Sequence, residues 1–175
     1  MKKLLVVMMA LTLGGVAYGS TLGVPWFVDT GIPANKLPPN SNGVVGIVYL
    51  HNNLQTTINC SIEYFTAGGT SVGPLAPDNT FSIAANASLG FRPVASDPST
   101  VAGGQEATDS GWLVPDRPTT TDVHPDTDGK KNGSCVITWM GGPSDVQGVY
   151  LQEQLTTRDG EGKIVAFAHL LPPGA

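Results

Sequence analysis

The sequence predicts an all-β protein: a single antiparallel β-sandwich of immunoglobulin-like or jelly-roll topology, with about seven to nine strands. Three features point there. Short stretches alternate apolar and polar residues with a period of two, most clearly Ile58-Asn59-Cys60-Ser61-Ile62-Glu63-Tyr64. Turn-forming residues are abundant, with 22 Gly and 14 Pro in 175 residues. No window outside residues 1–19 repeats its apolar positions at the 3.6-residue helical period. A closed barrel is the runner-up arrangement.

The chain opens with Lys2 and Lys3, then an apolar run from Leu4 to Leu13. Gly14 and Gly15 break the run, and Ala17-Tyr18-Gly19 places small residues at the −3 and −1 positions before Ser20. This is the layout of a secretory signal peptide over residues 1–19. Ten apolar residues are too few to span a bilayer, which takes about 20. A mature domain over 20–175, secreted or periplasmic, is the expectation, with no membrane insertion after cleavage.

Residues 20–43 read as a short strand, Trp26-Phe27-Val28, followed by a Pro- and Asn-rich loop. Val44 to His51 is apolar on both faces, as in a strand buried on both sides. Asn52-Asn53 turns the chain into Thr57–Phe65, and Ala67-Gly68-Gly69-Thr70 closes that strand. Phe81 and Ile83 mark the next strand. Leu89, Phe91 and Pro93 share a face of the one after it, with Pro93 at its end.

Residues 95–134 form a polar insertion in which Gly111-Trp112-Leu113-Val114 is the one good strand pattern. Cys135, Ile137 and Trp139 then alternate with Val136, Thr138 and Met140, and Gly141–Asp145 is a turn. Gln147–Thr157 and Lys163–Leu171 are two strands joined around Asp159-Gly160, a strong hairpin signal. In the second, Ile164, Ala166, Ala168 and Leu170 oppose Val165, Phe167, His169 and Leu171.

Composition removes several function classes. Charged residues are 13% of the chain and the net charge is −5. Nine Lys and Arg, two of them in the leader, cannot build the basic face that nucleic-acid or anionic-membrane binding needs. Cys60 and Cys135 fall in strand patterns, and an oxidising compartment favours joining them. Such a disulfide would close a loop of about 75 residues, worth roughly 3–5 kcal/mol in the chain-entropy picture.

The pieces Ile47–Asn53, Ile58–Phe65, Val72-Gly73-Pro74, Phe81–Ala85 and Phe91-Arg92-Pro93, with the late strand pair, resemble in layout the sensory rhodopsin transducer family. About half the chain is covered, and the likeness is one of layout without a chemical signature. Members of that family are small, cytoplasmic β-sandwich proteins that associate as oligomers. The resemblance implies a sandwich fold and a non-enzymatic role. This chain departs from the family in its leader and in its 95–134 insertion.

Metal chemistry has one place to go. Asp122, Asp126 and Asp128, followed by Gly129, alternate oxygen ligands around a sharp turn, as calcium loops do. The full EF-hand spacing fails, because its first and twelfth positions are His124 and Cys135. A solvated acidic turn is the simpler reading; His124 with Asp122 and Asp126 offers a transition-metal alternative to calcium, but a loop His beside Pro is more often simply exposed. His51, His124 and His169 lack any HExxH-type spacing, and no Gly-x-Ser-x-Gly elbow occurs. Glu63, Asp145 and Glu153 are the carboxylates available for hydrolysis. Trp112, in the polar insertion, is the candidate exposed aromatic for stacking on a glycan, while Trp139 reads as core.

The sequence therefore supports best an exported, non-catalytic β-sandwich that binds or self-assembles as a structural protein of the cell envelope or extracellular space. Its partner would be itself or a glycan. A carbohydrate-binding module is the first alternative, and a small secreted hydrolase with dispersed carboxylates is the second. Two strands without charge, Val44–His51 and Cys135–Met140, and the segment 20–28 are the sequence's candidates for edge-to-edge pairing with another copy.

Overall fold

The computed structural model describes residues 19–30, 43–93, 114–115, 117–118, 132–158 and 161–174. Within them the chain forms ten strands: β1 Gly19–Val28, β2 Gly43–Asn52, β3 Ile58–Phe65, β4 Ser71–Gly73, β5 Thr80–Ile83, β6 Ser88–Phe91, β7 Asn132–Met140, β8 Val146–Arg158, β9 Glu161–Leu171 and β10 Pro173–Gly174. They build two antiparallel sheets. The first runs β10-β1-β7-β3-β4, with β5 also pairing β3, and the second runs β6-β2-β8-β9. The β-sandwich expected from the alternating pattern is the fold found. The strand count exceeds the expected seven to nine because β4 and β10 are only three and two residues long.

The period of two decides what is buried. Ile58, Cys60, Ile62 and Tyr64 of β3, and Cys135, Ile137 and Trp139 of β7, point into the sandwich. Val48 and Leu50 of β2, Leu89 and Phe91 of β6, and Val146 and Tyr150 of β8 meet them from the second sheet. β2 lies between β6 and β8 and is buried on both faces from Val45 to Val48, as its unbroken apolar run predicts. Val114, the only described residue of the Gly111–Val114 strand pattern, lies in this core without forming a strand. Close by, the Tyr64 hydroxyl donates to the Pro115 carbonyl at 3.0 Å.

β1 is longer than its sequence suggests. Pro25 and Trp26 interrupt the pattern, so only Trp26–Val28 reads as a strand. The structure accommodates them with a register shift between Val24 and Phe27. Leu22, Val24 and Phe27 are all fully buried as a result, and Trp26 is displaced outward, 45% exposed. β1 pairs β7 along nearly its whole length, and β10 covers its other edge at Thr21 and Leu22. Segment 20–28 is therefore paired within its own sheet, the ordinary fate of a short terminal strand, and is not a strand free to join a neighbour.

Beyond β1 the chain crosses from the first sheet to the second. The Thr30 amide donates to the Val44 carbonyl at 2.9 Å, and the Gly46 amide donates to Asp29 at 3.4 Å. Asp29 is fully buried and takes two charge-assisted hydrogen bonds from Arg92, at 2.7 Å from Nε and 2.5 Å from Nη2. The Tyr150 hydroxyl accepts from the Val28 amide at 3.2 Å, and burial pushes its pKa up to about 12.

The Cys60–Cys135 disulfide is not formed; both residues are free thiols. Register explains why. Cys60 stands opposite Trp139, and Cys135 stands opposite Tyr64. The two cysteines share the inner face of neighbouring strands but lie four residues apart along the ladder. At about 3.4 Å per residue that is roughly 14 Å, well past the ~7 Å a disulfide can bridge.

Candidate functional site

Two surfaces of the sandwich compete as sites of action. The outer face of the first sheet is polar. Thr21, Thr138, Ser61 and Thr80 stand in one row across β1, β7, β3 and β5. Glu63 carries a charge on this face and accepts a 2.6 Å hydrogen bond from Ser71. Water can satisfy such a face, and nothing about it calls for a partner.

The edge of the second sheet is different. β9 pairs β8 from Glu161 to Leu171 and has no partner on its other side among the described residues. Its stretch Ile164-Val165-Ala166-Phe167-Ala168-His169-Leu170-Leu171 contains no Lys, Arg, Asp or Glu. Ile164, Val165, Phe167 and Leu170 are 46–78% exposed, and they come from both faces of the strand. A long apolar edge with open backbone N–H and C=O groups is a template for another strand.

Sequence on β8 shows why this half of the hairpin is left outside the core. Its inner face changes from Val146, Gly148 and Tyr150 to Gln152 and Gln154. Gln152 stands opposite Phe167, and Gln154 opposite Val165. Only Leu171, at the other end of β9, is fully enclosed. From Leu171 the chain leaves the second sheet, and β10 joins β1 of the first. Inner-face aromatic contacts run outward from the core. The Tyr150 and His169 rings meet edge-on at 5.5 Å, and His169 stacks on Phe167 at 6.3 Å with 10° between the planes. An apolar groove of about 590 Å³ opens at the Leu171 end, walled by Pro143, Val146, Gly148, Leu170, Leu171 and Pro172.

The other sequence candidates scatter. Asp122, Asp126, Asp128 and Trp112 lie outside the described residues, as does His124. Among the described residues no three His, Cys, Asp or Glu side chains come together as metal ligands. Glu63 and Glu153 are on the outer faces of different sheets, and Asp145 sits in the β7–β8 turn, accepting from the Gly142 amide at 2.6 Å. Burial raises the pKa of Glu153, whose Oε2 is buried without a hydrogen-bond partner. His51 shares a 2.8 Å hydrogen bond with Ser88. Trp139 is core, as expected, and its indole N–H donates to the Gly142 carbonyl at 3.0 Å.

Burial also governs the thiols. It pushes the Cys60 pKa up to about 12 and raises that of Cys135 as well. Protonated, enclosed thiols are poor nucleophiles. Native protein is therefore expected to resist iodoacetamide at about pH 8, and both cysteines to be alkylated once the chain is unfolded. Mass spectrometry of unreduced peptides checks this, and a Cys60–Cys135 linked peptide would contradict the β3–β7 register.

No family model, curated protein or solved structure matches the chain. The features of the site must therefore speak through their own chemistry. Sequence alone missed the edge for a specific reason. The absence of charge was read in Val44–His51 and Cys135–Met140, but only the pairing order shows that these strands, β2 and β7, are central and that β9 is terminal.

Proposed function

We propose that this chain is an exported, non-catalytic structural protein of the cell envelope or extracellular space, and that it works by associating with copies of itself through the β9 edge. The observation that carries this reading is the uncharged, exposed Ile164–Leu170 edge. Isolated exposed apolar residues are ordinary, as at Leu75 or Met140, but a contiguous row on an unpaired strand marks an interaction site. The leader pattern of residues 1–19, with its cleavage signal before Ser20, supports export from the cytoplasm.

Light scattering on the exported chain over a wide concentration range tests the reading. The native chain is expected to be oligomeric. Phe167→Lys should reduce it to a monomer, because a charge on an edge strand opposes pairing. Phe167 is half exposed, so the substitution leaves the monomer's core intact. Met140→Lys, on an equally exposed residue of β7, should leave association unchanged. A native chain that stays monomeric throughout the range overturns the proposal.

A further inference from the structure

The β9 edge also specifies how two copies meet. We infer that they pair antiparallel across a twofold axis at Phe167, so that the occupant of the edge is the β9 strand of a second copy. This inference rests on the self-association reading and adds the register to it.

Symmetry restricts the choices. When two copies extend one continuous antiparallel sheet, the twofold axis stands perpendicular to the sheet. Residues directly opposite each other then lie on the same face, so the axis must pass through a residue and not between two. Read outward from Phe167, the edge is nearly a palindrome: Ala166 matches Ala168, Val165 matches His169, and Ile164 matches Leu170. Each exposed apolar side chain therefore meets an uncharged one. Phe167 meets its own copy on the inner face, an aromatic cross-strand pair. On the outer face Ile164 of one copy meets Leu170 of the other, at the mouth of the groove that Leu170 helps to wall.

Neighbouring registers are worse. An axis at Ala166 places Lys163 opposite His169 and Glu161 opposite Leu171. An axis at Ala168 places the exposed Ile164 and Val165 opposite Pro172 and the buried Leu171, whereas an axis at Phe167 pairs the exposed stretch Ile164–Leu170 wholly with itself and leaves Lys163 and Gly162 opposite Leu171 and Pro172 outside it. A twofold contact of this kind also uses up both β9 edges, so assembly through it closes at two copies and yields an eight-stranded sheet.

Cysteine pairs that retain Phe167 test the register. Opposed residues are about 4.5–5.5 Å apart at Cα, within disulfide reach, whereas Ala166 and its own copy would be roughly 8 Å apart, beyond it. Ala166→Cys and Ala168→Cys proteins, mixed dilute, concentrated together and mildly oxidised, should give mostly covalent dimer. Either variant alone should give little. Phe167→Cys alone should cross-link to itself. A chain that is dimeric by light scattering but shows equal or greater cross-linking in the single Ala166→Cys sample overturns the register and leaves self-association standing. A chain that is monomeric with or without the substitutions overturns both.

Discussion

Replacing Asp29 with alanine is expected to destabilise the fold by about 3–5 kcal/mol, a large share of the ~5–15 kcal/mol that holds a domain together. Asp29 is fully buried, and Arg92 is 2% exposed. Withdrawing both charges from water is costly, and their two short hydrogen bonds together with the Gly46 amide offset that cost. Removing the carboxylate leaves the Arg92 guanidinium buried beside an empty space. The loss is structural as well, since Asp29 sits where the chain passes from one sheet to the other. Urea unfolding with an unchanged slope measures it as a shift in midpoint. The double variant Asp29→Leu, Arg92→Met should recover part of the loss, because it removes both buried charges, although the Gly46 amide loses its acceptor. A loss below about 1 kcal/mol in Asp29→Ala would mean that the two residues behave as an exposed surface pair.

That ion pair could not be read from the sequence. Asp29 and Arg92 each follow a strand, where a charge ordinarily means the start of a solvated loop. They are brought together only because β1 and β6 end at the same corner of the sandwich. Strand interiors were more legible. Alternation in β3 and β7 gave the inward faces correctly, since a one-residue slip would have exposed every core side chain. The Asp159-Gly160 signal gave the last hairpin, in which Arg158 pairs with Glu161.

Alternation fails where a strand's partner is not local. Two inward-facing cysteines suggest a pair, yet facing is a property of one strand and separation depends on register between two. The same limit applies to the site. The composition of β9 was plain, but whether its apolar residues face a core or a free edge depends on where β8 outruns the first sheet. Gly46 is a further case. A glycine within a strand reads as a weak point, but here the Tyr150 hydroxyl lies 2.5 Å from where a Cβ would stand. The glycine makes room for the tyrosine that supports the sheet crossover.

Deleting residues 20–29 is expected to abolish folding. β1 supplies Leu22, Val24 and Phe27, all fully buried, each worth roughly 1.5–3 kcal/mol of burial. It also carries Asp29, and its loss would leave β7 unpaired along one edge. Together these terms approach or exceed the stability of an ordinary domain. Ser20 fits the same picture. It is buried, and its hydroxyl donates to the Gly141 carbonyl at 2.7 Å, so the strand is anchored from Ser20 onward. Cleavage between Gly19 and Ser20 leaves every one of these contacts in place. A chain beginning at Ser20 should therefore unfold cooperatively in urea, while a chain beginning at Thr30 should show no unfolding transition and bind a hydrophobic dye without denaturant. If the shorter chain kept a cooperative transition, β1 would be an accessory strand, and the sandwich would close without it.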